Sequence, residues 1–252
     1  MEPISPQPAA IRKAILNFHS PDYMRHNLRR LEHLASLRLP IAGARVLEVG
    51  AGIGDHSLFY LDRGCTVLAV EARPENCYVY REHLLGLMDF EQHGERVKLI
   101  LADAESLPEH VSGSFEIVHC YGLIYHLADP APVLAAMAAC CQRLLLLETR
   151  VSFGSDQALN PVAEDISNPM EAFHGNGCRP TRPWVMAQLQ QHFPFVYIPA
   201  TQPAHFEFPL DWTQQPDTGS FDASYRAIFI GSRQPLDNPL LLTELPMQQT
   251  RA

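Results

Sequence analysis

The stretch Val46-Leu47-Glu48-Val49-Gly50-Ala51-Gly52-Ile53-Gly54-Asp55 constrains this chain more than any other. Residues 46–49 read as a buried β-strand. Glycines at alternate positions, Gly50, Gly52 and Gly54, follow it, and Ser57-Leu58-Phe59-Tyr60-Leu61 then has helical character. A strand that feeds a glycine-rich turn and then a helix is a nucleotide-binding arrangement. Glycine lets the backbone turn sharply and lets a ligand approach main-chain atoms that a Cβ would block. The Gly-x-Gly-x-Gly spacing departs from the Gly-x-Gly-x-x-Gly dinucleotide fingerprint, which counts against a nicotinamide dehydrogenase. Glu48, two residues before the first glycine, suits a ligand with a cationic amino-acid end rather than a pyrophosphate.

The alternation continues downstream. Residues 65–70 form a second apolar strand closing on Glu71, and Pro74 opens a helix to about residue 87. Residues 96–101 are a third strand, closing on Asp103, and 114–120 a fourth. Asp129-Pro130 starts a helix rich in Ala, Leu and Met, and 143–147 are a fifth strand, closing on Glu148. Strands alternating with helices predict a parallel sheet with right-handed crossovers. Upstream, 1–8 read as a loose arm and 9–18 as a short helix. Ser20-Pro21-Asp22 starts a longer helix, with Ser20 as N-cap. In that helix Met24, Leu28, Leu31, Leu34 and Leu37 predict the packed face, with Arg25, Arg29 and Arg30 between them. Periodicity lapses from 149 to 179, and loops of that length are usually lids or disordered. A helix at 181–193 and strands at 195–198 and 225–231 complete the pattern, the strands separated by a Pro- and Asp-rich excursion. The expected organisation is a helical cap at 1–42, an α/β domain at 43–232 with a lid-like insertion at about 149–180, and a polar surface tail at 233–252.

Composition removes several function classes. With 252 residues, 46% of them hydrophobic, the chain can bury the core of one α/β domain with additions. A net charge of −9 disfavours a large basic surface for nucleic acid. Cys65, Cys77, Cys120, Cys140, Cys141 and Cys178 form no Cys-x-x-Cys pair, which points to buried thiols of a reducing compartment and to no metal centre. No run nears the ~18 apolar residues of a membrane span, and no leader pattern opens the chain. A cytoplasmic protein without membrane partners is expected.

The strand ends make the arrangement specific. Ligands of parallel α/β sheets bind at the carboxyl ends of strands, near the switch in strand order. Glu71 stands where an acid accepts both hydroxyls of a ribose. Asp103 stands where a carboxylate accepts an adenine amino group, with the Ala104 N–H donating to a ring nitrogen. Cys120-Tyr121-Gly122 ends the fourth strand. Together with the glycine motif, these features resemble the class I S-adenosylmethionine (SAM) dependent methyltransferases over roughly 43–148, with a weaker continuation to 231. The resemblance implies a Rossmann-like, seven-stranded, mostly parallel sheet with helices on both faces and an antiparallel last strand. It implies SAM (S-adenosyl-L-methionine) as cofactor. Glu48 would face the methionine ammonium, and Gly50, Ala51, Gly52 and Gly54 would form the binding turn. Glu71 would hold the ribose, Ala72 would pack on the adenine, Asp103 and Ala104 would read its edge, and Tyr121 would stand in the wall. The run Gly122-Leu123-Ile124-Tyr125-His126-Leu127-Ala128-Asp129-Pro130 is similar to the Gly-x-x-Tyr-His-Leu-x-Asp-Pro run of a subset that includes small-molecule and tRNA wobble-uridine methyltransferases.

Methyl transfer is an in-line displacement in which alignment supplies most of the catalysis. A hydroxyl acceptor also needs a base, and a neutral histidine with a pKa near ~6.5 suits that task. His126 is the first candidate and His174 the second, although His126 also suits a structural role and Glu71 and Asp103 suit ordinary turns. Arg25 or Arg29 could reach the cofactor carboxylate; Asn176, Arg179 and Arg182 could reach the substrate. The expected function is SAM-dependent methylation of a small molecule at oxygen. An RNA-modifying methyltransferase, against which the net charge counts, and a catalytically idle SAM-binding partner protein are the rivals. The oligomeric state is open.

Overall fold

Strand β1 (Arg45–Val49) sets the architecture, because its successive apolar side chains alternate between two separate cores: Val46 joins one and Leu47 and Val49 the other. A strand apolar on both sides must be covered on both sides. The computed structural model describes residues 6–87, 94–214 and 225–252. Residues 1–5 of the expected arm and 215–224 of the Pro- and Asp-rich excursion lie outside them.

Strands β1, β2 (Thr66–Glu71), β3 (Val97–Leu101), β4 (Phe115–Tyr121) and β5 (Cys141–Arg150) are parallel, in the spatial order β5-β4-β1-β2-β3. The chain runs outward from β1 to β3 and then returns to lay β4 on the other side of β1. The reversal opens a crevice at the carboxyl ends of β1 and β4. One face is covered by α2 (Pro21–Ser36), α3 (Asp55–Leu61) and α4 (Pro74–Leu87), through Leu34, Phe59, Tyr60 and Tyr80. The other is covered by α5 (Leu107–His110), α6 (Ala131–Cys140) and α7 (Arg182–His192), through Leu107, Leu134, Met137, Val185 and Leu189. Helix α1 (Pro8–Phe18) lies against α4.

Beyond β5 the sheet continues with β10 (Arg226–Ser232), antiparallel to both β5 and β8 (Phe195–Pro199). The expected seven strands are therefore present. The tail adds an eighth, β11 (Leu241–Leu242), at the edge of β8. That tail is tied down: β12 (Thr250–Arg251) pairs with β9 (Thr201–Gln202), and Asn238 donates to the Leu37 carbonyl across the molecule.

Two segments differ from the sequence expectation. The insertion is a folded strap, with β6 (Pro161–Ala163) pairing antiparallel to β7 (Asn176–Cys178). Arg73 holds the strap by donating to the carbonyls of Ile166, Glu171 and Ala172, and Asn76 donates to Pro169. Helix α2 follows its leucine pattern only in part: Leu31, Leu34 and Leu37 pack on the core as expected, but Met24 and Leu28 do not. Leu28 and Met24 are 64% and 46% exposed, whereas His26, Asn27, Arg30, His33 and Leu34 are buried. The polar face turns inward because it meets buried ionic partners on β5 and near β10.

Candidate active site

One cleft of about 390 Å³ gathers the carboxyl ends of β1 to β5 beneath α2 and the strap. That volume lies within the ~300–1,000 Å³ of small-molecule sites. Gly50, Glu71, Ala72, Asp103, Ala104 and Tyr121 all border it. The Glu71 carboxylate is fixed by the N–H of Gly52 at 2.8 Å, the N–H of Arg73 at 3.0 Å and the Asn76 amide at 3.2 Å. Burial raises its pKa, and these donors offset part of the rise. Asp103 caps a short turn by accepting from the Glu105 N–H at 3.0 Å.

Glu48, Ala51, Gly52 and Gly54 do not border the cleft. The space over Gly54 (φ +95°) is filled by Tyr80, whose ring carbon would lie 2.8 Å from an added Cβ, and that over Gly52 by Phe18. Glu48 points under the turn into the core, where it accepts from the Ser57 hydroxyl. Burial pushes its carboxyl up to about 8, so at neutral pH it carries a proton and no charge for an ammonium to meet.

His174, expected as a second base, sits on the rim. Its side chain is 55% exposed and its Nε2 bonds the Asp103 carboxylate at 2.6 Å. An assigned base and an assigned adenine acid thus occupy each other. Among the residues considered with it, Arg179 is buried against Glu164, and Arg182 donates to the Pro246 carbonyl.

His126 is differently placed. It follows β4 on a single helical turn, borders the cleft, and hydrogen-bonds Glu164 of the strap through Nδ1. Glu164 also accepts from Arg179 at 3.0 Å and from the Ala172 N–H at 2.7 Å. These donors overcome burial and hold the Glu164 carboxyl at about 2. An ionised Glu164 requires the proton on Nδ1 and leaves Nε2 as the basic nitrogen. Burial lowers the His126 pKa, with Glu164 opposing, so the ring is neutral at pH 7.

The half of the cleft beyond Tyr121 is ionic. Glu148, fully buried, accepts from Arg30 at 3.0 Å and from Arg226 at 2.9 Å. Burial alone would raise the Glu148 carboxyl; Arg226 and Arg30 outweigh it and hold it below its usual range. Arg226 also donates to Glu207 at 3.1 Å and to the Tyr125 hydroxyl at 3.1 Å, and His26 contacts Glu207. Gly122 (φ +84°) makes room here: an added Cβ would lie 3.2 Å from Arg30 Nη1. His26, His205 and Glu207 bring possible metal-ligating atoms within 4.8 Å of one another, as do Asp103, Glu105 and His174 on the rim. Arg226 already sets a cation on Glu207, which opposes a dication in the first group. Arg30, Glu148, Arg226, Glu207 and His26 carried no motif in the sequence. Only the strand-end position of Glu148 hinted at a role.

Residues 46–145 match the model of a methyltransferase domain family. The chain is 36% identical over 110 residues to a ubiquinone biosynthesis O-methyltransferase of Xanthomonas euvesicatoria pv. vesicatoria, a match spanning 44% of this chain and 43% of that relative. Among solved structures it resembles the N-terminal domain of EvdMO1, determined with S-adenosylhomocysteine (SAH) and D-fucose, at a TM-score of 0.61 and 21% identity over 86% of this chain and 84% of that one. It also resembles magnesium protoporphyrin IX methyltransferase from Synechocystis PCC 6803, at a TM-score of 0.59 and 11% identity over 90% of this chain and 95% of that one. Residues 46–145 thus match a methyltransferase domain, and the chain shares the fold of these solved methyltransferase-type structures.

Proposed function

We propose that the protein is a SAM-dependent methyltransferase that acts on a small molecule at oxygen, with His126 as general base. The observation that carries this reading is a neutral histidine, oriented by an ionised glutamate, whose Nε2 has no partner among the described residues, in the same cleft as the strand-end acids. The likeness to ubiquinone biosynthesis O-methyltransferases supports oxygen as the acceptor atom.

The residues suit the cofactor. Glu71 borders the cleft with its carboxylate already oriented, which favours the ribose role, and Ala72, Asp103, Ala104 and Tyr121 border it as well. The buried Nε of Arg30 and hydroxyl of Tyr121 have no partner among the described residues. Arg30 therefore replaces Arg25 and Arg29 as the candidate for the methionine carboxylate, since Arg29 pairs with Glu32. When bound, SAM supplies an electrophilic sulfonium methyl. As the methyl passed from the sulfonium sulfur to the acceptor oxygen and left SAH behind, His126 Nε2 would take the proton of the acceptor hydroxyl, and Glu164 would stabilise the imidazolium. The strap and α2 exclude water. Residues 43–232 are read as the catalytic unit, with 1–42 and the strap as its cover. No helix among the described residues is long and apolar enough to cross a membrane; a cytoplasmic location is part of the proposal. RNA as acceptor has the net charge of −9 against it.

Calorimetric titration tests the reading. Protein freed of carried-over cofactor should bind SAM and SAH with a Kd on the order of micromolar, and Glu71→Ala should weaken both. A folded protein that binds neither would sink the reading.

A further inference from the structure

We propose that the acceptor half of the cleft takes a compact hydroxylated carboxylic acid, its carboxylate on Arg150 and its hydroxyl on His126. This rests on reading the cleft as a methyl-transfer site. Four arginines stand in or beside that half, and their partners differ. Arg30 is held by Glu148 and Asn27, Arg226 by Glu148, Glu207 and the Tyr125 hydroxyl, and Arg179 by Glu164 and two carbonyls. Arg150 ends β5 and borders the cleft, and its guanidinium has neither a hydrogen bond nor an ion pair among the described residues; its Nε is buried without a partner. The guanidinium lies over the face of Tyr125, 5.1 Å from the ring centre.

A guanidinium is always charged and presents a planar fork matched to a carboxylate. Left half-buried without an anion it is costly, and an arriving carboxylate removes that cost. The histidines of this half do not supply competing charge: burial holds His26 well below its usual range and lowers His126 and His205. Arg30 and Arg226 are matched by Glu148 and Glu207, so among the described residues of this half Arg150 is the cation without an anion. A shared neighbour bounds the size of the ligand. His126 packs on the same Tyr125 ring, with ring centres 4.0 Å apart. Base and guanidinium therefore lie about one small scaffold from each other, which suits an acid carrying its hydroxyl a few bonds from its carboxylate. Such an acid would be methylated at the hydroxyl, with its carboxylate serving as the handle.

The test pairs acids with their amides. The three hydroxybenzoates and 3-hydroxybutyrate, each beside its carboxamide, are titrated by NMR into the SAH complex, and also into the free protein. At least one acid is expected to bind roughly tenfold or more tightly than its amide. Arg150→Gln should erase that preference while SAH affinity stays within about twofold, and Arg150→Lys should keep part of it. Equal binding of acid and amide, binding of neither member of any pair, or an Arg150→Gln variant that keeps the preference would overturn the proposal. Loss of SAH binding in Arg150→Gln would also overturn it, by assigning the guanidinium to the cofactor carboxylate. Failure of the unmodified protein to bind SAH would instead strike the methyltransferase reading, while the free-protein titration would still decide the acid site.

Discussion

At the scale of single residues, the difference between His126 and His174 lies in what each spare nitrogen can reach. His126 spends Nδ1 on Glu164, and its Nε2 has no hydrogen-bond partner among the described residues; His174 spends Nε2 on Asp103 at the rim. His126→Ala is expected to lower turnover roughly 10²–10⁴-fold with SAH affinity unchanged; undiminished turnover in a steady-state methyl-transfer assay removes the base. The neutral ring is the active form and its pKa is lowered, so the acid limb of the rate profile should fall below about pH 6.5. His174→Ala should leave turnover near that of the parent, and any change should appear in the cofactor Kd, because the substitution frees Asp103. A turnover loss as large as that of His126→Ala would restore His174 to the chemistry.

At the scale of elements, α2 separates what the sequence discloses from what it hides. Four of the five parallel strands were legible because they are buried on two faces and so write near-continuous apolar runs ending at an acid or glycine; β3, half-exposed at the sheet edge, kept enough apolar residues to be read with them. Chain order then brought Gly50, Glu71, Asp103 and Tyr121 to one edge. The inward face of α2 was not legible. Leucines at helical spacing give the same pattern whichever face is covered, and Arg30 finds Glu148 118 residues away. The partner of His126 was hidden in the same way, in an aperiodic strap. The misplacement of Glu48 has a different cause, since its position in the motif does not reveal that Ser57 would capture it. Inside the molecule α2 continues as a chain of hydrogen bonds: Asn27 Oδ1 accepts from His56 Nε2, His56 Nδ1 from His119 Nε2 at 3.1 Å, and His119 Nδ1 from the Tyr60 hydroxyl at 2.8 Å. Every donor is matched only when both histidines are neutral. Denaturant unfolding of the cofactor-free protein checks the inward face. Leu28→Ser should change stability by no more than about 0.5 kcal/mol. Arg30→Met should cost about 2–3 kcal/mol, less than the ~3–5 of a lone buried pair, because Arg226 remains on Glu148. The reverse ranking would return Leu28 to the core.

At the scale of the whole molecule, the buried groups predict how stability follows pH. Burial lowers the pKa of His26 and His56 far below the ordinary value, that of His119 to about 3 and that of His33 to about 4. Unfolded, these rings take up protons as pH falls through ~6.5, while folded they stay neutral. They therefore make stability rise with pH up to about 6.5 and add nothing above it. Glu48 acts oppositely. Its folded pKa, pushed up to about 8 by burial, exceeds the unfolded value of ~4.3. The folded chain keeps a proton that the unfolded chain has lost, so the contribution of Glu48 declines as pH rises through that interval. Glu71, also raised, adds in the same direction. Below pH ~6.5 the histidines oppose and outnumber these acids, and above it Glu48 acts without that opposition. At ~1.4 kcal/mol per pH unit, stability should peak near pH ~6.5 and fall by about 1–2 kcal/mol by pH ~8. Glu48→Gln keeps the shape and the Ser57 contact but has no proton to lose, so its unfolding free energy should decline clearly less than the parent's over that range. A parallel decline in parent and variant would assign the loss to other groups. A flat parent would mean that Glu48 is already ionised at neutral pH, with the glycine turn built over a buried anion.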